Sequence, residues 1–324
     1  MSRLSRRLVL AAPALAGVAP LHAQGVLPTR GIRIVVGYPV GGGTDEMARV
    51  VAAALQRRLA RPVTIENRAG AAGASAGEVL KKAPTDGSVL AFMPTATLIG
   101  KLTTKTFPFD PQTDIAPLTL AGTYSTTFAV SPKLGVATLD EYARWLKTAR
   151  TEDARFGTTS LESFTHYFGL LIGKTLGRPL DAVYFKGAAP LVADLTQGKM
   201  PAGTSGLTSF LQHHRGNRVR ILVSSGDKRS AAAPDVPTVV ELGYPMLEMQ
   251  NWYAFFGPRG LPADVTAALE GELRATLEGR DTAESLQQLG LDVETSTAAE
   301  CAARLASDLV RWQKMLDSLG VKPS

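Results

Sequence analysis

The chain has 324 residues, of which 45% are hydrophobic and 20% are charged, so it is long enough for two domains of ordinary size with a large core. This composition excludes a disordered chain. The formal net charge is +6, and no run of lysine and arginine indicates a nucleic-acid partner.

The first 23 residues have the pattern of an export signal. Three arginines form a basic start, an apolar stretch too short to span a bilayer follows, and Ala23 offers a site for cleavage. The arginine pair is also typical of a twin-arginine signal. An ordinary buried helix is disfavoured because Pro13 and Pro20 would break it. Residues 1–23 hold these three arginines and no acid, so removing them lowers the formal charge from +6 to +3.

Cys301 is the only cysteine, so no intrachain disulfide can form. It lies far from the predicted cleavage site and cannot carry a lipid anchor at the new N-terminus. No later run is long and apolar enough to be a membrane helix. We therefore expect an exported, soluble and unanchored protein in the periplasm.

Short β-rich runs alternate with helical patterns over most of the chain. The apolar run 32–36 (IRIVV) leads into a glycine loop, and a helix with one apolar face follows. Further strands are predicted at 62–67 and 88–94. Alternation of this kind predicts parallel strands with helical crossovers, which is an α/β fold.

A second series of elements begins near residues 123–132. A capping box from Thr138 to Glu141 predicts the start of a helix, and another from Thr297 to Glu300 predicts the start of the last helix. Strands are predicted between these two helices at 154–160, 181–187, 220–225 and 251–258. Periodicity leaves open whether the two series form successive or interleaved domains.

The glycine loop is typical of an anion site. A nucleotide loop would need a lysine after the last glycine, but Thr44 and Asp45 follow Gly43, and Glu46 stands where a dinucleotide loop needs glycine. Acids in the first helical turn would repel a phosphate dianion. A carboxylate held by backbone N–H groups at the helix start is therefore favoured. The alternative is a plain tight turn with an aspartate cap.

The sequence shows no concentrated set of reactive groups. It lacks a G-x-S-x-G motif, and Cys301 falls in a helical pattern that favours a buried structural thiol. His166, His213 and His214 belong to no zinc-binding motif. We expect no metal and no cofactor, and a binding protein accounts for this better than an enzyme does.

Five separated blocks carry a family likeness. They are residues 39–49 (PVGGGTDEMAR), 63–77 (VTIENRAGAAGASAG), 185–190 (FKGAAP), 228–243 (KRSAAAPDVPTVVELG) and 251–258 (NWYAFFGP). In order and spacing they resemble the tripartite tricarboxylate transporter substrate-binding proteins, also called Bug receptors, from about Arg30 to the C-terminus. The resemblance implies a type II periplasmic binding protein fold, in which two α/β lobes close on a small ligand, commonly a carboxylate.

The resemblance also implies how the lobes are built. The first lobe would be discontinuous, with residues 28–124 and 226–324, and residues 125–225 would form an inserted second lobe. The chain would then pass from one lobe to the other near Tyr124 and near Ser225, and these two places are called the crossings.

Carried over by position, the family's ligand loops imply a site drawn from both lobes. The first-lobe residues are Pro39, Gly41, Gly42, Gly43, Thr44, Asp45, Thr95, Ala96 and Thr97. The second-lobe residues are Thr158, Thr159, Ser160, His166, Tyr184, Lys186, Gly187 and Ser205. Trp252 would border the cleft or lie in the core. Backbone amides and hydroxyls can fix a carboxylate without a permanent cation.

The second lobe departs from the family pattern. The family's usual Ser-Ser-Gly-x-Gly reads Thr-Thr-Ser-Leu-Glu at 158–162. The loss of two glycines restricts the backbone there, and Glu162 adds a negative charge. The family's Val-Asp-x-x-x-Asp segment reads Met-Pro-Ala-Gly-Thr-Ser at 200–205, so both of its aspartates are absent. These changes predict a ligand unlike the usual dicarboxylate, or a weakened or lost site.

The implied partners are a small carboxylate or related anion and a membrane transporter, with the receptor acting as a monomer. An orphan receptor that signals to a membrane sensor kinase is the main alternative. An exported α/β enzyme is less favoured, because no reactive group supports it.

Overall fold

The computed structural model describes residues 26–159 and 163–323. The predicted signal segment, Ser160 and Glu162 lie outside the described residues. Within the described ranges, none of the helices is both long enough and apolar enough to cross a bilayer.

Strands and helices alternate along the chain, which confirms the predicted α/β class. The strands are β1 (Ile32–Val36), β2 (Val63–Asn67), β3 (Val89–Pro94), β4 (Ile115–Tyr124), β5 (Thr126–Val130), β6 (Arg155–Thr158), β7 (Asp181–Tyr184), β8 (Ala202–Gly206), β9 (Arg220–Ser224) and β10 (Asn251–Pro258). The helices are α1 (Gly43–Leu59), α2 (Ser75–Lys81), α3 (Thr95–Leu98), α4 (Gly100–Thr103), α5 (Leu139–Thr148), α6 (Phe164–Thr175), α7 (Ala188–Gln197), α8 (Leu207–Arg215), α9 (Ala263–Leu277), α10 (Arg280–Gln288) and α11 (Ala298–Ser318).

The strands form two five-stranded sheets, in the orders β2-β1-β3-β10-β4 and β7-β6-β8-β5-β9. The expectation of parallel strands is wrong for β5 and β10, each of which is antiparallel to both of its neighbours. Each of these strands is the first one after the chain changes sheet. It therefore starts at the crossing and runs away from it, whereas the other strands of its sheet run towards it.

Two strands were not predicted, β4 and β8. The sequence of β8 is Ala-Gly-Thr-Ser-Gly, without the β-branched apolar residues that mark a strand. Its small residues have a packing reason, since a Cβ at Gly203 would lie 3.1 Å from Leu191 and 3.3 Å from Leu195 of α7. Close packing of a helix on this strand, and not strand propensity, therefore sets its composition.

The two predicted capping boxes differ in the structure. At the start of α11, the Thr297 hydroxyl accepts a hydrogen bond from the Glu300 N–H, and the Glu300 carboxylate accepts one from the Thr297 N–H, so the box is complete. At the start of α5, the Thr138 hydroxyl accepts from the Glu141 N–H, but the Glu141 carboxylate accepts from Ala137 instead. Both helices still begin where the sequence predicts.

The chain changes sheet between Tyr124 and Thr126, and again between Ser224 and Asn251. Residues 230–239 pack against the second sheet, where the Val239 N–H donates to the Ser224 carbonyl at 2.9 Å. They lie on the first-lobe side of the boundary predicted at 225/226. The lobe boundary at 225/226 stays a prediction.

Helix α11 connects the two lobes. It packs on β4 of the first sheet, and its Trp312 ring meets the Phe164 ring of α6 with the centroids 5.3 Å apart. Residues of both lobes consequently share one apolar cluster beside the crossings.

Candidate functional site

A cavity of about 420 Å³ lies between the two lobes. Its walls come from the ends of strands and the starts of helices on both sides of the crossings. The residues that line it are Tyr38, Ala72, Ala96, Tyr124, Thr126, Thr159, Ser163, Phe164, Thr165, Gly206 and Asn251. Of the described residues in this wall, none carries a charge, so a ligand would meet hydroxyls, one side-chain amide and the backbone.

Two helices of the second lobe begin at the cavity wall. Ser163 is the N-cap of α6 and Gly206 is the N-cap of α8. The first N–H groups of a helix have no acceptor within the helix, and they carry the positive end of its dipole. Two such ends at one cavity stabilise an anion without a charged side chain.

Hydroxyl groups are held together at the start of α6. The Thr165 Oγ1 lies 3.1 Å from Thr158 Oγ1 and 2.9 Å from Ser163 Oγ. Thr158 is buried at the end of β6, so this chain of contacts fixes the two hydroxyls that line the cavity. The same Ser163 oxygen accepts from the His166 N–H at 3.4 Å and caps the helix.

On the opposite wall, a loop with unusual backbone geometry is held by Tyr38 and Thr97. Ala71 and Ala72 have φ of 47° and 50°, the left-handed region that alanine rarely occupies. The Ala72 carbonyl accepts from the Tyr38 hydroxyl at 3.0 Å and from Thr97 Oγ1 at 3.1 Å. Burial raises the pKa of Tyr38, and the bond with Thr97 only partly opposes this, so the hydroxyl stays protonated at neutral pH. A strained turn kept by such bonds is common at ligand sites.

Asn251 joins the two crossings. Its Nδ2 donates to Thr126 Oγ1 at 3.2 Å and to the Met249 carbonyl at 3.3 Å, and its Oδ1 accepts from Thr95 Oγ1 at 3.2 Å. The residue is fully buried at the first position of β10, while its side chain reaches the cavity wall. It therefore fixes both crossing strands against α3 at the bottom of the cleft.

The glycine loop before α1 is organised around Asp45. The buried Asp45 carboxylate accepts from the Gly41 N–H at 2.8 Å, from Arg49 Nε at 2.9 Å and from Asn67 Nδ2 at 2.9 Å. Burial alone would raise the pKa of Asp45, but these bonds outweigh it and hold the pKa below its ordinary value. Asp45 thus caps its own loop, and the N–H groups left for a ligand are those of the first helical turn, which starts at Gly43.

The structure brings only some of the predicted site residues to the cavity. Ala96 and Thr159 line it, while Thr95, Thr97 and Thr158 lie directly behind and position its walls. The predicted residues that do not line it are Pro39, Gly41, Gly42, Gly43, Thr44, Asp45, His166, Tyr184, Lys186, Gly187, Ser205 and Trp252. Ser160 lies outside the described residues.

Three of these residues have clear structural roles elsewhere. Trp252 is fully buried in the core, where its Nε1 donates to Asp308 at 2.7 Å. Ser205 is buried in β8, and its carbonyl accepts from Thr127 Oγ1 at 3.1 Å. The His166 ring lies on the Tyr167 and Phe156 rings, with centroids at 5.5 and 6.4 Å.

Sequence reasoning missed most of the wall. The missed lining residues are Tyr38, Ala72, Tyr124, Thr126, Ser163, Phe164, Thr165, Gly206 and Asn251. Ser163 could have been found, because a serine that precedes a helical pattern is a typical N-cap. Asn251 begins one of the five family blocks, but its role cannot be read locally, since its partners lie more than a hundred residues away at Thr95 and Thr126.

The Cys301 thiol does not line the cavity. Burial raises the pKa of the Cys301 thiol to about 12, so it is a poor nucleophile. Within residues 26–159 and 163–323, no three His, Cys, Asp or Glu side chains come together as a metal site.

Comparison with known sequences gives a family match. A sequence profile described as "Tripartite tricarboxylate transporter family receptor" matches residues 47–321. Protein BugT of Bordetella pertussis is 29% identical over 311 residues, which make up 95% of this chain and 95% of that protein.

Solved structures show the same architecture. A protein from R. palustris solved with adipate has a TM-score of 0.76 at 26% identity, and the match covers 92% of this chain and 99% of that one. MatC from Rhodopseudomonas palustris with bound malate has a TM-score of 0.72 at 25% identity, covering 90% of this chain and 100% of that one. These likenesses confirm the predicted fold of the periplasmic binding proteins, with two α/β lobes.

Proposed function

This chain belongs to the tripartite tricarboxylate transporter receptor family of periplasmic solute-binding proteins, and from this we propose that it captures a small carboxylate in its cleft by closure of the two lobes. The receptor, exported to the periplasm, presents the bound anion to a membrane transporter of the tripartite tricarboxylate type. It binds this ligand without chemical turnover.

The observation that carries the proposal is an uncharged cleft at which two helices begin. A partly buried helix N-terminus stabilises a negative charge by up to about 2 kcal/mol. The N-caps Ser163 and Gly206 bring two such termini to one wall. A carboxylate has acceptor oxygens for these N–H groups and for the hydroxyls of Thr159 and Thr165.

The size of the cleft supports a small ligand. Its volume of about 420 Å³ lies in the lower part of the range of roughly 300–1,000 Å³ found for small-molecule pockets. The related R. palustris proteins were solved with adipate and malate, which carry two carboxylates each. The first turn of α1 lies outside the cavity wall but belongs to the opposite lobe, so a second carboxylate would meet it where closure brings that turn to the ligand.

Closure follows from the same arrangement. Because the hydroxyl and N–H donors belong to both lobes, a ligand makes more contacts when the lobes approach, and it favours the closed state by the free energy of those extra contacts. The Ser225 hydroxyl accepts a hydrogen bond from the Thr126 N–H and donates one to the Met249 carbonyl. Together with the Asn251 side chain, it keeps the crossings in register while the lobes move.

The binding step is tested by calorimetry with adipate and malate on the wild type and on Thr165→Val, which removes a cavity hydroxyl at nearly constant volume. We expect at least one ligand to bind and the variant to weaken it roughly tenfold, the usual effect of losing a hydrogen bond to a charged group. Thr64→Val, at an exposed position of β2, is the matched control and should bind as the wild type does. Failure of adipate, malate and other short mono- and dicarboxylates to bind would contradict the proposal.

Two further measurements distinguish a transport receptor from an enzyme and from a sensor. Recovery of the bound ligand unchanged, followed by NMR, distinguishes a receptor from an enzyme. Uptake of the labelled ligand by cells with and without the gene tests delivery to a transporter. Equal uptake in the two strains would favour the sensor-kinase alternative.

A further inference from the structure

A second concavity among the described residues is a groove of about 700 Å³. It lies between the C-terminal half of α6, residues 245–249 and the C-terminal half of α11. The groove and the ligand cleft share no lining residue within the described ranges.

The floor and one rim of the groove are apolar. Leu171, Leu247 and Trp312 are buried beneath it, and Met315 lies beside them. Met246 and Val310 both line the groove and leave 67% and 58% of their surfaces exposed, so the groove presents apolar surface to solvent. Methionine side chains adapt their shape to an apolar partner, so this wall suits a flexible chain.

The charges around the groove are mostly positive. Lys174, Arg311 and Lys314 line it, whereas Glu248 is its one acidic lining residue among those described. Glu248 is already paired with Arg311 at 2.7 Å. In the described part of the chain, neither Lys174 nor Lys314 has an acidic partner within ion-pair distance, although Lys174 donates to the Ser318 carbonyl.

A buried hydrogen-bond donor adds a third observation. Trp312 is 1% exposed and lines the groove, and its indole Nε1 has no acceptor among the described residues. Buried donors without an acceptor are rare in folded proteins, and each one needs a reason. The Nε1 atom has less than 1 Å² of accessible surface, so a ligand oxygen would reach it only after the side chains around the indole shift.

We propose that this groove is a second binding site for an amphipathic monoanion, a carboxylate at the end of an apolar chain. The apolar chain packs on the floor made by Leu171, Leu247 and Trp312. The carboxylate lies among the cations of α6 and α11. The short dicarboxylates proposed for the cleft would lack the apolar surface that this floor requires, so the two sites select different ligands.

The test uses octanoate as the probe and the full-length protein in calorimetry, with Trp emission as a second readout. We expect octanoate to bind the wild type with one site, and 1-octanol and adipate to compete poorly for it. Met246→Glu should weaken octanoate binding about tenfold because it places a like charge at the rim. Met246→Gln, of similar size and uncharged, is its matched control and should stay close to the wild type.

Lysine variants test the electrostatic part. Lys314→Gln should weaken octanoate roughly threefold, the size of an exposed ion-pair contribution. Lys322→Gln makes the same charge change outside the groove and should leave the affinity unchanged. Absence of octanoate binding would overturn the proposal. So would equal affinity for octanol and octanoate, or an affinity that none of the groove variants changes.

Discussion

The rings of Phe164 and Trp312 meet edge to face with their centroids 5.3 Å apart, and each ring lines a different cavity. Phe164 belongs to the wall of the proposed ligand cleft, at the first position of α6. Trp312 belongs to α11 and to the wall of the groove behind it. A ligand that moves α6 must therefore change the surroundings of the indole.

The first prediction follows from this contact. Binding of adipate or malate in the cleft should change the tryptophan emission of the protein, and Trp312→Phe should abolish most of that change while the ligand still binds. Trp145→Phe is the control, because Trp145 stacks on Tyr142 in α5 and touches neither cavity. A change that survives in Trp312→Phe would mean that the signal does not arise at the contact of Phe164 with Trp312, and would contradict the prediction.

The second prediction concerns Asp308, which is buried in the centre of an interaction network. Its carboxylate accepts from Trp252 Nε1 at 2.7 Å and from Arg304 Nε at 3.0 Å, and it also pairs with Arg311. Asp308→Asn leaves two partly buried arginines without their shared anion, so we expect the free energy of unfolding to fall by about 3 kcal/mol.

Urea unfolding of Asp308→Asn measures this loss. Asp317→Asn makes the same change at an exposed position of the same helix, and we expect an effect within about 0.5 kcal/mol. Similar losses in the two variants would mean that the network adds no stability beyond that of helix α11 itself.

Particular elements show how much the sequence predicts. The strand β1, the glycine loop and α1 follow directly from local patterns, as does the complete capping box at Thr297. The two-lobed fold came from the family resemblance, because periodicity could not order the sheets. The antiparallel direction of β10 depends on pairing with β3 and β4, which no local pattern records.

The cleft was harder to predict for the same reason. Asn251 bonds to Thr95 and Thr126, which are distant in the chain, and Ala72 lines the wall because its backbone is left-handed. Neither property is visible in residue types alone. Conversely, Asp45 lies at a helix start as predicted, but its hydrogen bonds with Gly41, Arg49 and Asn67 occupy its carboxylate with the loop, α1 and β2.

The third prediction uses the lowered pKa of Asp45. A carboxyl group with a lower pKa in the folded state stabilises the fold above its unfolded pKa, and this contribution disappears as the pH falls through the folded value. The wild type should therefore lose stability as the pH falls from the ordinary value of 3.8 downwards. Asp45→Asn should be less stable at pH 7 and should lose less on acidification. Parallel pH profiles for the two proteins, from thermal unfolding, would exclude this role.

The fourth prediction separates the two possible roles of the glycine loop. Gly42 has φ of −82°, and a Cβ there would lie 3.4 Å from the Pro39 carbonyl, so Gly42→Val fits the backbone. Gly41 has φ of 78°, where a β-branched residue is strained, so Gly41→Val should lower the free energy of unfolding by about 1–3 kcal/mol.

If the first-turn N–H groups of α1 meet the ligand in the closed state, Gly42→Val should weaken binding by about tenfold or more, since its side chain would stand between the ligand and the backbone. Its stability should stay near that of the wild type. Calorimetry and urea unfolding on both variants make the comparison, using whichever dicarboxylate binds. Wild-type affinity in Gly42→Val would mean that the loop is only a turn held by Asp45, and that the ligand is bound by the walls around Thr165 and Asn251 alone.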